Sequence, residues 1–102
     1  MAKYVNINTS ATAAVVLLQK NTQDTGKISK IHISNNRSAA EVINVYLESE
    51  ANASNDYYFI KGLSIPANTS FLLEDCLSFD ISLYKLKIDG FSASNDLTVI
   101  IK

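Results

Sequence analysis

Residues Tyr84 to Asp89 read YKLKID. In an extended chain Tyr84, Leu86 and Ile88 fall on one face and Lys85, Lys87 and Asp89 on the other, since successive strand side chains point to opposite sides. The period is two, and it recurs in both directions from this segment. DLTVIIK (Asp96 to Lys102) repeats it with Leu97, Val99 and Ile101, and KIHIS (Lys30 to Ser34) with Ile31 and Ile33 around His32. In AEVINVYLES, Ile43, Val45 and Leu47 share a face, while Val42 and Tyr46 make the opposite face apolar as well. Convincing helical periodicity is absent.

Between these runs lie NTSAT, KNTQDTG, SNNRSAA, ANASND, PANTS and DGFSASND. Asn and Asp tolerate left-handed backbone and bond to local amides, so such clusters are turns. Parallel pairing would need crossover segments, and none is present. The pattern predicts strands near 3–7, 13–19, 27–35, 41–49, 56–64, 70–74, 77–80, 83–90 and 96–102. The expected fold is all-β: residues 1–102 as a single antiparallel β-sandwich, jelly-roll or Ig-like, of about eight or nine short strands. Its predicted core is Ile31, Ile33, Ile43, Val45, Leu47, Leu63, Ile65, Phe71, Leu73, Leu86, Ile88, Leu97 and Val99. The one proline, Pro66, lies in LSIPANTSFLLED (Leu63 to Asp75) and reads as a corner between two strands, because it cannot donate to a sheet ladder.

Composition narrows the function. With 47% hydrophobic and 19% charged residues the 102-residue chain is globular, and a net charge of −1 argues against nucleic acid, which needs a basic face. The nine Lys and Arg residues are scattered, so no membrane-binding patch is expected, and no apolar run reaches the roughly 18 residues of a membrane span. MAKYVNINTS lacks the apolar stretch of a signal peptide, so the Asn-X-Ser/Thr sequons at Asn8, Asn36, Asn52 and Asn68 are read as turn sequence. The one cysteine, Cys76, follows Glu74 and Asp75, which would raise its pKa; it reads as a small half-buried side chain.

No residue set announces a chemistry. One histidine, His32, and one cysteine cannot build a usual zinc site, and His32 reads as the solvated side of its strand. The Asn-Asp pairs of SNDY and SNDL lack the dense acidic loop of a calcium site. Three glycines cannot form a phosphate-cradling loop, and Glu48/Glu50 and Glu74/Asp75 imitate a glycosidase dyad without a cleft. Catalytic, metal and cofactor residues are all expected to be none. DYYF (Asp56 to Phe59) is the best binding-surface segment, since an exposed tyrosine can anchor a protein or a sugar ring.

From Lys27 to Asp75 the chain reads KISKIHISNNRSAAEVINVYLESEANASNDYYFIKGLSIPANTSFLLED. A strand ending in an Asn-rich turn, a strand of the Val-x-Val-Tyr-Leu type, a tyrosine-bearing strand, SIPA with a small polar turn and an LLED strand follow in order. This succession resembles a family of small virion proteins of tailed bacteriophages. LYKLKIDGFSASNDLTVIIK continues it as an alternating strand, a small-residue turn and a closing strand. The family carries a glycine-bearing turn where this chain has Asp80-Ile81-Ser82. The resemblance implies a non-enzymatic virion structural protein, most of all a capsid decoration or cement protein bridging subunits. A neck or tail component, or a glycan-binding host-recognition module acting through Tyr57 and Tyr58, is the alternative. It implies assembly in the host bacterial cytoplasm, other virion proteins as partners, and no cofactor.

Alternation also leaves apolar residues on faces assigned to solvent. Val16 and Leu18 oppose Val15 and Leu17; Val42 and Tyr46 oppose their strand's core set; Ile100 opposes that of the last strand. A two-layer sandwich needs one apolar face per sheet, so a homo-oligomer or another subunit is the expected cover. Val16, Leu18, Val42, Tyr46, Tyr57, Tyr58 and Ile100 are the candidate interface residues, and the final strand is expected to be an open edge for strand addition.

Overall fold

The computed structural model describes residues 2–21, 23–74 and 77–102, among which there are ten strands and no helix. They are β1 (Lys3–Ile7), β2 (Val15–Leu18), β3 (Lys27–Ile28), β4 (Ile31–Asn35), β5 (Glu41–Ser49), β6 (Asp56–Ile65), β7 (Thr69–Leu73), β8 (Leu77–Ser78), β9 (Tyr84–Asp89) and β10 (Leu97–Ile101). Pairing is antiparallel and nested: β5 with β6, β4 with β7, β3 with β8, β2 with β9 and β1 with β10. The chain is thus one long hairpin with its tip between β5 and β6. Rolling the hairpin brings β10 against β4 and β9 against β5. Two four-stranded sheets result, sheet I in the order β1-β10-β4-β7 and sheet II in the order β2-β9-β5-β6, beside the small β3-β8 pair. This is jelly-roll order, which decides between the two sandwich topologies expected from sequence.

The core lies between the sheets. Ile31, Ile33, Ile43, Val45, Ile65, Leu86, Ile88, Leu97 and Val99 are buried as predicted, and Ile7, Leu17, Leu18, Ile28, Phe91 and Ile101 join them. Leu47, Leu63, Phe71 and Leu73, predicted as core, are half-buried and pack against it. Burying this much aliphatic surface, at about 25 cal/mol per Å², is the main force holding the roll shut.

Four expectations need correction. Leu18 is not on an outer face: the register slips between Val16 and Leu18, so both Leu17 and Leu18 turn inward and are fully buried. Tyr46 does point outward but is only 4% exposed, because Tyr58 from β6 lies against it. The last strand is no edge, since β10 is hydrogen-bonded on both sides, to β1 and to β4. The segment 27–35 is two strands, parted where the Lys102 carbonyl accepts both the Ser29 and Lys30 amides (2.7 and 3.0 Å). Asp75 and Cys76, the latter read as a half-buried side chain, lie outside the described residues.

Polar plugs close the ends of the sandwich. Asn35, fully buried, donates from Nδ2 to the carbonyls of Ala39, Ile65 and Pro66 (2.9, 3.0 and 3.2 Å) and accepts the Arg37 amide. The Pro66 corner is therefore held by a side chain from the neighbouring turn. Asn68 completes that corner in the left-handed region (φ 53°) and donates its amide to the Arg37 carbonyl (3.1 Å). Asn95 does the same for the start of the roll, donating to the carbonyls of Thr9 and Ser92 (3.0 and 2.9 Å). At the opposite end Asp24 accepts from Lys3 Nζ, the Gln19 amide and Asn21 Nδ2 (2.9, 3.2 and 3.0 Å).

Candidate interaction surfaces

The outer face of sheet II is built from even-numbered residues of β5 and odd-numbered residues of β9. Register places Val16, Lys87, Tyr46 and Tyr58 in one transverse row, with Lys85, Glu48 and Asp56 in the next. These side chains cover one another. The Tyr46 and Tyr58 rings are 5.0 Å apart, and Lys61 Nζ sits 4.8 Å from the Tyr58 ring centre. Glu48 is bridged by Lys87 at 2.9 Å and Lys85 at 3.4 Å. The Lys87 hydrogen bond, chiefly, holds the Glu48 carboxyl below its usual pKa against the opposing effect of burial. Burial first, then the Asp89 carboxylate, pushes the Tyr46 phenol well above its ordinary pKa.

The edge of that sheet is shaped by two irregularities in β6. Register shifts fall between Ile43 and Val45 and between Val45 and Tyr46, so β6 carries extra residues through Phe59–Gly62. Gly62 takes a left-handed conformation (φ 68°), and its amide donates to Asn44 Oδ1 (2.8 Å), whose Nδ2 is tied to Asp89 (2.9 Å). A bulge at an edge blunts it against strand addition. Tyr57, which shares the inner face of Leu47, lies beyond the cover of sheet I and is 55% exposed, edge-on to Tyr84 at 5.8 Å. Leu83 is exposed in the turn leading into β9.

Sheet I carries a different outer face. One row crosses all four strands as Tyr4, Ile100, His32 and Leu72, and the next as Asn6, Thr98, Ser34 and Ser70. Tyr4 and Leu72 are exposed, and Ile100 and His32 half-exposed. A depression of about 230 Å³ is lined by Leu72, His32, Ile100, Lys30 and Lys102. His32 thus stands on the outward side of its strand, as alternation predicts, with apolar neighbours on both sides.

The candidate interface residues therefore do not form one surface. Val16, Val42, Tyr46 and Tyr58 belong to the outer face of sheet II, Ile100 to that of sheet I, Tyr57 to an open end, and Leu18 to the core. Leu72, Tyr4 and Leu83 were not singled out from sequence, although even-numbered positions around His32 and Ile100 mark the first two.

The buried acidic residues, Asp24, Glu41 and Glu48, are engaged in the fold. Glu41, 1% exposed, accepts from Arg37 Nη1 (2.6 Å), the Ser92 hydroxyl (2.7 Å) and the Ser92 amide (3.0 Å). Burial works to raise its pKa, but Ser92 and Arg37 together outweigh burial and keep it lowered. Among the described residues no buried side-chain polar atom lacks a partner, and no three His, Cys, Asp or Glu residues converge as a metal site would require. The three glycines serve geometry: Gly26, for one, lies so close to the residue after β8 that a Cβ would overlap the Phe79 carbonyl oxygen.

No protein-family model matches the chain, and no curated protein sequence does. A solved structure described as the crystal structure of PirA superposes with a TM-score of 0.55 at 11% identity, over 98% of this chain and 91% of that one. That similarity establishes a shared all-β sandwich architecture.

Proposed function

We propose that this chain is a non-enzymatic structural protein of a tailed-phage particle, foremost a capsid decoration protein that bridges subunits, with a neck or tail component as the next reading. The resemblance across Lys27 to Asp75 motivates the particle. The observation that supports docking over chemistry is how polar and apolar groups divide. Asp24, Asn35, Glu41, Glu48 and Asn95 are all taken up in holding loops and strands, whereas apolar side chains on the outer faces, Leu72 and Tyr4 on sheet I and Val42 on sheet II, are left uncovered. Jelly rolls present such faces by construction, since each sheet has one side away from the core. Assembly with copies of itself belongs to the same reading.

The test is quantitative mass spectrometry of purified particles. Abundance comparable with the major capsid protein is the expected result, and abundance at a small fraction of it would select the neck or tail. Absence from particles would overturn the proposal. Tyr57, the most exposed ring of β6, keeps host-glycan recognition as the reading to adopt if glycan-array binding is seen and Tyr57→Ala abolishes it.

A further inference from the structure

We infer that the depression on the outer face of sheet I is a docking site for an acidic segment of a partner protein carrying a large apolar side chain. The inference rests on the docking role proposed above and names the chemistry of the partner. Ile100, His32 and Leu72 lie in one row on three adjacent strands. Strands are about 4.8 Å apart, so Ile100 and Leu72 stand roughly 10 Å from one another with the His32 ring between them. The depression over that ring, walled by Ile100 and Leu72, accepts one aliphatic or aromatic side chain. Its volume of about 230 Å³ is below that of most small-molecule sites and suits an anchor residue better than a cofactor.

The charge of the rim selects the rest of the partner. Lys30 and Lys102 flank the gap one row further along, and neither is within 4.0 Å of a carboxylate among the described residues. Lys3, Arg37, Lys85 and Lys87 are all so paired. Glu74 follows β7 beside Leu72 and forms no ion pair among the described residues. Two ammonium groups with no carboxylate partner among the described residues, beside an apolar gap, complement carboxylates that flank an apolar anchor, an arrangement that fixes orientation and raises the association rate.

The inference is tested by selecting heptapeptides from an unbiased library on the immobilised full chain, then titrating the winners by amide NMR. Enriched peptides are expected to carry Leu, Ile or Phe beside Asp or Glu, and to shift the amides of Lys30, His32, Leu72 and Ile100. Affinity should fall at least tenfold in Lys30→Glu and in Leu72→Ser, both exposed positions. It should be unchanged in the exposed, remote Lys20→Glu variant. No enrichment, enrichment of uncharged or basic peptides, or shifts centred on Tyr46 and Tyr58 would overturn it. So would octanoate shifting these amides while acidic peptides do not, since that points to a lipid-like ligand. Particles that contain the chain while the peptides fail would remove this site and leave the proposed function standing; the reverse result would do the opposite.

Discussion

On the outer face of sheet II, Tyr46 lies under Tyr58, and Glu48 under two lysines. On the outer face of sheet I, Ile100, His32 and Leu72 stand in a similar transverse row with nothing laid across them. Alternation makes the two faces look alike, because both carry apolar residues at outward positions. The difference is whether a neighbouring strand supplies a side chain long enough to close the surface. In sheet II a second tyrosine and two lysines lie across the row; in sheet I the row on one side is asparagine, threonine and serine, and Lys30 and Lys102 on the other side flank the gap without closing it. An outward apolar residue is thus a sign of an interface only when its own sheet leaves it bare.

The largest effect that separates core from face is expected for Leu18→Asp. A charge placed at this fully buried position has no partner and should cost about 4 kcal/mol or more, unfolding the protein by circular dichroism. If Leu18→Asp folds normally, the inward slip of β2 is wrong. Tyr46→Ala comes next, at about 3 kcal/mol, since it removes a ring that is buried although outward-facing. A loss under about 1 kcal/mol in urea titration would mean that sheet II does not cover itself.

Acid should then distinguish the faces. The carboxyls of Asp24, Glu41 and Glu48 all titrate below their ordinary range in the folded protein. The unfolded chain therefore takes up protons first as pH falls. The stability they contribute is complete above the unfolded carboxylate range and drains away through the lower folded values. Thermal midpoints should be flat from neutral pH to about 5 and fall below about 4. Glu48→Gln should shrink that fall and cost about 1 kcal/mol at neutral pH, because its lysine partners are partly exposed. An acid response unchanged by Glu48→Gln would contradict the pairing. The smallest effects belong to Val42→Asp and Ile100→Asp, within about 0.5 kcal/mol by chemical denaturation. If the chain is the particle protein proposed above, Ile100→Asp and Val42→Asp are both expected to weaken incorporation, because Val42 is 47% exposed with only Ser64 opposite it.

Sequence went furthest where the determinant is local. The bounds of β5 follow from alternation between Glu41 and Ser49, and Pro66 marks its corner because a missing amide needs no distant partner. It went least far where a second strand decides. The slip that buries Leu18 is a property of the β2-β9 pair, the covering of Tyr46 depends on β6, and the interior place of β10 depends on β1 and β4. One signal was present and unread. Asn35 extends the inward series Ile31-Ile33, Glu41 precedes Ile43-Val45, and Asn95 precedes Leu97-Val99. A polar residue at the next inward position of a strand marks the end of the sandwich, where turn backbone groups need partners.

The nested pairing bears on how the chain finds its fold. Joining β1 to β10 directly would close a loop of almost the whole chain, at the entropic cost of distant encounters. If β5 and β6 pair first, only Glu50 to Asn55 must be closed, and each outer pair then closes little more than its own connections. The roll can zip from tip to ends, yet its final contacts remain non-local, which sets folding on a scale of milliseconds to seconds. Kinetic mutants should follow suit: Val45→Ala slowing folding, and Val5→Ala acting mainly on unfolding.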